Sequence, residues 1–408
     1  MLFSFGFYSS LLLVFFIHGW VYAILLGRKS RIRESPADGW LALFLVICVL
    51  YISPWMLGFG GWYDTQPYRD ILFYVPFQQL FLLGPVIFCY VRSLLNPGFR
   101  FKGKEWLHFL PALLYLIYSL VVLLTDQWIL GRYYFLASGL DPDFETWYQL
   151  TGFLSMLLYF WLSLRYYLSY RKMVPQLVSY ADQARFRWVG HFLLAFLVIL
   201  VLRGFFFLLG LFTELSYDST WWYFFAFSLL FYYIAIHGYA NAVVAKVPFR
   251  AILPGDRPAL LLDGPGETDE LIVLEQPQEQ QAPDPLLEAW KEKLVDAMVK
   301  EKVFEDPELS LPELARKIGT NVSVLSRVVN QGFGMNFNDF INYHRVQSVL
   351  DLLEKGEHRQ QTLLGIAFDC GFNSKATFNR AFKKVTGMAP KDWISREPGT
   401  TPTGLKSS

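Results

Sequence analysis

The sequence is poor in cysteine and in charged residues, and both shortages exclude classes of protein. Three cysteines occur among 408 residues, and an odd, widely spaced set builds neither a disulfide framework nor a metal cluster. Charged residues make up 17% of the chain, whereas a soluble domain has roughly a quarter. The formal net charge is +1, so no global field attracts a polyanion and any nucleic-acid affinity is local. A secreted disulfide protein, a disordered chain and an ordinary soluble enzyme all fit poorly.

Motifs of catalysis and cofactor binding are also missing from the sequence. It has no GxxxxGK[ST] loop, no GxGxxG after a strand, no HExxH pair and no kinase module. The last apolar run contains no lysine, so it offers no retinal Schiff base. We therefore expect no enzyme activity, no cofactor and no metal site.

Apolar residues are instead concentrated in long runs within the first 240 positions. Seven runs of about 20 residues are long enough to cross a bilayer as helices. They are Phe3–Leu26, Trp40–Phe59, Ile71–Val91, Trp106–Leu124, Leu150–Tyr170, Val189–Phe212 and Trp221–Ala240. The pattern predicts a seven-helix transmembrane bundle over residues 1–245, whereas buried helices of a large soluble protein are the weaker alternative.

The charges between these runs predict an orientation. Basic residues concentrate in the first, third and fifth loops, and the even-numbered loops are mainly acidic. By the positive-inside rule the odd loops are cytoplasmic. The N-terminus is then outside, the first run is a retained helix, and everything after the seventh run is cytoplasmic.

Residues 246–285 differ in composition from both flanks. They are rich in proline, glutamine and acidic residues, a composition that buries little and favours a flexible linker. Two short apolar pieces, Ala259–Leu262 and Leu271–Leu274, are candidates for local docking. Such a linker transmits torque poorly, which favours control by oligomerisation or by proteolytic release.

Residues 286–396 predict an all-helical domain that contains an internal repeat. A capping box at Ser310–Glu313 starts a helix that stops at Gly319, and a second helix follows Asn321. About fifty residues later a helix stops at Gly371 and another follows Asn373. Each copy therefore predicts a helix-turn-helix unit. A long helix, Phe337–Leu353, separates the two copies, and residues 397–408 are expected to be a disordered tail.

The residues of this domain carry a family resemblance. The segments are Asn336–Asn342 (NFNDFIN), Gly365–Ala367 (GIA), Gly371–Phe372, Phe378–Lys384 (FNRAFKK) and Thr386–Pro390 (TGMAP). They closely resemble the AraC/XylS family of bacterial transcription regulators, over a little more than a quarter of the chain. The resemblance implies a bipartite domain whose two recognition helices enter successive major-groove segments. By architecture alone, the apolar half is similar to the sensors of membrane-bound members.

The resemblance also implies which residues face DNA. They are Ser323, Ser326 and Arg327 in the first recognition helix and Lys375, Ala376, Asn379 and Arg380 in the second. The run from Gly371 to Lys391 has five basic residues and no acid, which adds Lys383 and Lys384 as phosphate contacts. Asparagine pairs with adenine, and arginine or lysine with guanine. Arg327 and Arg380 also suit a phosphate contact or a pair within the domain. The two lysines also suit solvent, and Phe372, Phe378 and Phe382 suit the core.

One ionisable residue lies deep within an apolar run. Arg203 is in the sixth run, and none of the runs contains an acid to neutralise it. A charge at this depth normally faces a bundle interior or a cavity. Internal hydrogen bonding or snorkelling is one explanation. A site for a ligand or a lipid headgroup is the other. The candidate partners are backbone carbonyls, tyrosines, Gln78, Gln79 and an anionic ligand.

Together these features predict a one-component regulator in the bacterial cytoplasmic membrane, with a sensor fused to a DNA-binding domain. The expected partners are operator DNA, the lipid bilayer, RNA polymerase, a second copy of the chain, and a small-molecule, peptide or lipid signal. The alternatives are a transporter or a membrane enzyme with a DNA-binding-like regulatory tail.

Overall fold

The computed structural model divides the chain into two compact units. The first contains Met1–Leu168 and Phe186–Phe249, and the second contains Ser169–Arg185 and Arg250–Ser408. The structure describes residues 3–96, 98–137, 139, 141–181, 187–213, 216–240, 259–261, 271–273 and 285–395.

In the first unit, all regular secondary structure of the described residues is helical. Its helices are α1 (Phe7–Ile32), α2 (Pro36–Phe59), α3 (Tyr68–Tyr74), α4 (Leu80–Leu95), α5 (Leu110–Leu123), α6 (Thr146–Leu177), α7 (Arg187–Phe212) and α8 (Tyr217–Ala240). A 3-10 turn, Gly103–Phe109, precedes α5, and a π turn, Leu124–Ile129, follows it. The last nine residues of α6, from Ser169 onward, belong to the second unit.

The expected number of membrane spans was wrong. Among the described residues, five helical segments are long and apolar enough to cross a bilayer: Phe7–Ile32, Pro36–Phe59, Gly103–Ile129, Arg187–Gly210 and Tyr217–Ala240. The third predicted run breaks around Pro76, and the 16 residues of α4 extend only about 24 Å at 1.5 Å per residue. The fifth run lies in α6, whose tyrosines, tryptophan and Arg165 lower its apolar character.

Helix α2 is the centre of the first unit. It packs against α1, α4 and α8, and residues on all its faces are buried. Its approach to α1 depends on Gly19, where an added Cβ would lie 2.3 Å from Val49 Cγ2. Small residues allow helices to pack this closely in a bundle. The outer faces of α5 and α7 expose leucine, isoleucine and valine.

The second unit is a small helical domain built around one long helix. Its helices are α9 (Pro285–Val299), α10 (Leu311–Ile318), α11 (Val322–Arg327), α12 (Phe337–Glu354), α13 (Leu363–Asp369), α14 (Lys375–Thr386) and α15 (Pro390–Ile394). The predicted long helix is α12, which ends one residue later than expected. Its buried Val346 and Val349 pack in one cluster with Ile366, Phe378 and Phe382. The three phenylalanines assigned to the core are all buried.

Residues that follow α6 also belong to the second unit. Val178 forms an antiparallel β-bridge with Ser310, and Ser179 N donates to Leu309 O at 3.1 Å. The sequence pattern places these residues in the fifth loop, far from 310 along the chain. The chain therefore enters the second unit at two points, once through α6 and once through the linker.

Two short strands lie within the predicted linker. Strands β1 (Ala259–Leu261) and β2 (Leu271–Val273) pair antiparallel, with Leu260 opposite Ile272. They coincide with the two apolar pieces expected to dock locally. The rest of residues 246–284 and the tail 397–408 lie outside the described residues.

Candidate functional site

The two helix-turn-helix units have matching turns. Gly319 and Gly371 end α10 and α13 with φ values of 76° and 88°, in the region that favours glycine. After each turn a backbone N–H returns to the preceding helix. Thr320 N donates to Ala315 O at 2.9 Å, and Phe372 N donates to Ala367 O at 3.0 Å. The same geometry at both turns means that the sequence repeat is a structural repeat.

Both recognition helices start with a side-chain cap in equivalent positions. Asn321 Oδ1 accepts from Val324 N at 2.8 Å, and Ser374 Oγ accepts from Thr377 N at 3.2 Å. The second cap is thus one residue later than the Asn373 expected from the sequence. Each cap satisfies an N–H that the helix itself leaves unpaired, so each helix begins at a fixed residue.

The second recognition helix, α14, presents one polar and basic face. Its exposed residues are Lys375, Ala376, Asn379, Arg380, Lys383 and Lys384, and its buried residues include Thr377, Phe378 and Phe382. The buried residues fix the helix to the core, so the predicted DNA-facing residues of α14 are held together on the outer side. Since no acid occurs between Gly371 and Lys391, the local potential is positive.

The first recognition helix, α11, is shorter and less basic. Ser323 and Arg327 are exposed. Ser326 is 7% exposed, and its Oγ accepts from Asn330 Nδ2 at 3.2 Å. After Arg327 the helix changes into a π turn, Val328–Gly332. The structure therefore brings two of the three predicted residues of α11 to the surface.

One lysine of α14 is tied to the long helix. Lys384 Nζ lies 2.6 Å from Asp339 Oδ2 on α12. Arg380 and Lys384 also line a groove of about 610 Å³ between α14 and the start of α12. An ion pair this exposed is worth roughly 0–1 kcal/mol.

A buried arginine that sequence reasoning missed organises the second unit. Arg345 on α12 is 1% exposed. Its Nε donates to Phe304 O at 2.8 Å, and its Nη2 donates to Asp306 O at 2.6 Å and to Ser179 Oγ at 3.1 Å. Burial lowers its pKa to about 10. An arginine on the apolar face of α12, four residues after Ile341, was the available signal.

In the first unit, Arg203 lies in a network of polar side chains. It is 8% exposed, and its Nη1 donates to Tyr51 Oη. Its Nη2 donates to Gln149 Oε1 at 2.6 Å, and Gln149 Nε2 donates to Gln78 Oε1 at 2.8 Å. The predicted link between Arg203 and Gln78 therefore passes through Gln149. Gln79 instead donates to Pro76 O.

Comparison with known proteins agrees with the geometry of the second unit. Residues 314–396 match the helix-turn-helix domain family. Uncharacterized HTH-type transcriptional regulators from Staphylococcus aureus strains COL, MSSA476 and N315 are each 35% identical over 95 residues. That segment is 23% of this chain and 12% of each relative. No solved structure matches the chain.

The matched residues contain both turns, both recognition helices and the helix between them. The comparisons cover about a quarter of the chain and leave the apolar half unassigned. The predicted resemblance is confirmed for the matched segment: residues 314–396 form an AraC-type helix-turn-helix domain.

Proposed function

We propose that this protein is a membrane-anchored transcription regulator, which binds operator DNA through its C-terminal domain and senses a signal in its apolar half. The observation that carries the proposal is the exposed basic face of α14, on a helix whose opposite side is fixed in the domain core. A rigid helix with such a face fits the major groove, where base edges are distinguishable.

The exposed residues divide into base readers and phosphate contacts. Asn379 and Arg380 lie near the middle of α14 and suit adenine and guanine edges. Lys375 and Ala376 lie at its start, where recognition helices approach the bases. Lys383 and Lys384, in the last turns, suit phosphates.

In the first helix-turn-helix unit, we assign DNA contacts to the exposed Ser323 and Arg327. Ser326 hydrogen-bonds the Asn330 amide, so we assign it to positioning that side chain. The first helix-turn-helix unit then binds mostly through phosphates, and the second makes most of the base contacts. Two copies of the chain on paired half-sites would raise the effective concentration of the second domain. RNA polymerase would then be recruited to the occupied site.

The apolar half supplies the membrane part of the proposal. Five helices are long and apolar enough to cross a bilayer. Large exposed apolar faces are rare on soluble proteins and mark contact with a membrane or a partner. The basic residues Arg28, Lys29, Arg31 and Arg33 at the end of α1 favour a cytoplasmic first loop. Five spans then place the N-terminus outside and the C-terminal domain in the cytoplasm. The proposed location is therefore the bacterial cytoplasmic membrane.

A selection experiment tests DNA binding with the full chain. The protein is placed in lipid nanodiscs and used to enrich a random-sequence duplex library. The native chain is expected to enrich a recurring motif, and Asn379→Ala is expected to lose one base preference within it. Lys300→Ala is the control, because Lys300 is exposed at the end of α9, outside the proposed interface. Absence of any enriched motif with the native chain would contradict the proposal.

Labelling in sealed cells tests the orientation. A membrane-impermeant amine reagent is expected to modify Lys383 only after the cells are permeabilised. Modification of Lys383 in intact cells would place the basic face on the wrong side of the membrane and exclude DNA as its partner.

A further inference from the structure

Around Arg203 the first unit contains a cavity of about 150 Å³. Its walls are mostly aromatic and include Phe153, Phe206 and Phe224. The polar side chains that line it include Trp55, Gln78 and Arg203. A mostly apolar pocket with a few convergent polar groups is typical of small-molecule sites.

Two buried donors at this cavity have no partner in the described part of the chain. Gln78 is 1% exposed and Trp55 is 7% exposed. Neither Gln78 Nε2 nor Trp55 Nε1 makes a hydrogen bond. Leaving a buried donor unpaired costs about 1–3 kcal/mol, so such groups in a native structure call for an acceptor.

The charge at the same cavity is also unbalanced. The guanidinium of Arg203 donates to a tyrosine hydroxyl and to an amide oxygen, and no carboxylate of the described residues is in ion-pair distance of it. The acid within this network is Asp143, which lies beyond Gln149 and Gln78. Its two oxygens already accept from Tyr115 Oη at 2.6 Å and Gln78 N at 2.8 Å.

We propose that this cavity binds a small monocarboxylate with an aromatic or short aliphatic body, and that this acid is the signal. The inference rests on the proposed sensor function and names its ligand class. The carboxylate would pair with Arg203 and accept from Gln78 Nε2 and Trp55 Nε1. A planar carboxylate matches a guanidinium, and an apolar body matches the phenylalanine walls.

Size and location restrict the ligand further. A dry cavity of roughly 150 Å³ holds a molecule about as large as benzene, so benzoate is near the upper limit. A doubly charged phosphate would lose more hydration in such an apolar site. Trp55 lies near the end of α2, which is the outer end of this helix in the proposed orientation. This location favours an acid that arrives from outside the cell.

Calorimetric titration of the full chain in nanodiscs tests this proposal, with empty nanodiscs as the blank. Sodium benzoate is expected to bind, whereas benzamide, its neutral analogue, is expected to bind at least tenfold more weakly. Dodecanoate tests a bilayer source of the same chemistry. If dodecanoate binds and benzoate does not, the carboxylate site stands but the small external acid is excluded. If neither acid binds, the proposal is wrong.

Three variants test the assigned contacts. Arg203→Gln is expected to weaken benzoate binding at least tenfold, and Trp55→Phe several-fold, because each removes a donor. Trp188→Phe is the matched control, since the indole of this buried tryptophan donates to Tyr90 Oη at 2.7 Å and does not line the cavity. Equal losses in Trp55→Phe and Trp188→Phe would reduce the effect to general destabilisation and overturn the assignment.

Gln78→Glu provides a test that misfolding cannot mimic. The new carboxylate would lie at the cavity with Arg203 and occupy the place of the ligand. The variant is expected to melt at a higher temperature than the native chain and to lose benzoate binding. A variant that still binds benzoate with native affinity would overturn the proposal. The library selection on the same preparations separates the two proposals. If the chain enriches a DNA motif but binds no acid, the proposed regulator function is supported and only the proposed ligand is excluded.

Discussion

The two helix-turn-helix units share a backbone design but differ in what their recognition helices offer. Both turns use a glycine at positive φ, and both helices have a side-chain cap. However, α11 is six residues long with one basic residue, whereas α14 is twelve residues long with four. Conserved turn geometry with divergent exposed faces indicates that the repeat maintains the fold while the two faces have different tasks.

The surroundings of the two glycines differ most. A Cβ on Gly371 would lie 2.5 Å from Phe304 O, whereas a Cβ on Gly319 would meet nothing within 4 Å. Positive φ disfavours alanine by about 1–2 kcal/mol at either site, and forced overpacking adds roughly 1–3 kcal/mol. Gly371→Ala should therefore destabilise the domain by about 2–5 kcal/mol, and Gly319→Ala by about 1–2 kcal/mol. Opening free energies of α12 amides, measured by hydrogen exchange in the full chain, check this. Equal losses of opening free energy in the two variants would mean that the backbone at Phe304 moves to make room for the added Cβ.

Acid should destabilise the core beside the first helix-turn-helix unit more than the core of the second. His344 packs against Phe304 and Phe340 beside the first helix-turn-helix unit. Burial lowers its pKa to about 4. The hydrophobic cluster of the second helix-turn-helix unit has no histidine among its described members. The neutral ring favours folding above pH 6.5, and this stability is lost as the pH falls from 6.5 towards 4, by about 2 kcal/mol at pH 5.

Hydrogen exchange at pH 7 and pH 5 checks this prediction. Amides of α10 and α11 should lose more protection than those of α14, after correction for intrinsic exchange. His344→Gln is the control and should remove most of the pH dependence. The same loss in both units would show that the domain opens as one cooperative body.

DNA affinity should depend on α14 more than on α11. Asn379→Ala and Arg380→Ala should each weaken binding to the selected motif by about 1–3 kcal/mol, because each removes a base contact. Ser323→Ala should change it by less than about 0.5 kcal/mol, as for most surface substitutions. Fluorescence anisotropy with selected and scrambled duplexes measures both. A larger effect at Ser323 than at Asn379 would reverse the assignment of the two units.

The smallest expected effect concerns salt. Lys383→Gln should weaken binding to all duplexes alike and reduce the slope of log K against log salt by about 0.9, the loss of one phosphate contact. Lys300→Gln should leave the slope unchanged. If Lys383→Gln alters base preference while the slope stays the same, Lys383 contacts bases.

Local signals in the sequence predicted the second unit well. The repeat, the long helix and the capping box depend on neighbouring residues, so Ser310, Gly319 and Gly371 occupy the roles expected of them. The first unit was predicted less completely. Apolar runs reveal length and composition, but the break around Pro76 depends on packing that no run encodes.

The other features that were not predicted depend on contacts between residues far apart in the sequence. The bond from Arg345 to Ser179 joins residues 166 positions apart, and the tie between Arg203 and Gln149 joins residues 54 positions apart. Ser326 is buried and accepts a hydrogen bond from Asn330 four residues later, whereas its counterpart Asn379 is exposed. The sequence offered the unusual residues but not their partners.

The contact between Ser179 and Arg345 has a consequence for proteolytic activation. A protease that cut once between β2 and α9 would free a fragment without Ser179 and without the bridge from Val178 to Ser310. Arg345 would keep Phe304 O and Asp306 O but lose an acceptor in a buried site, at a cost of about 1–3 kcal/mol. A single cut would thus release an incomplete domain, whereas a second cut on the other side of Val178 would let the missing piece leave with it.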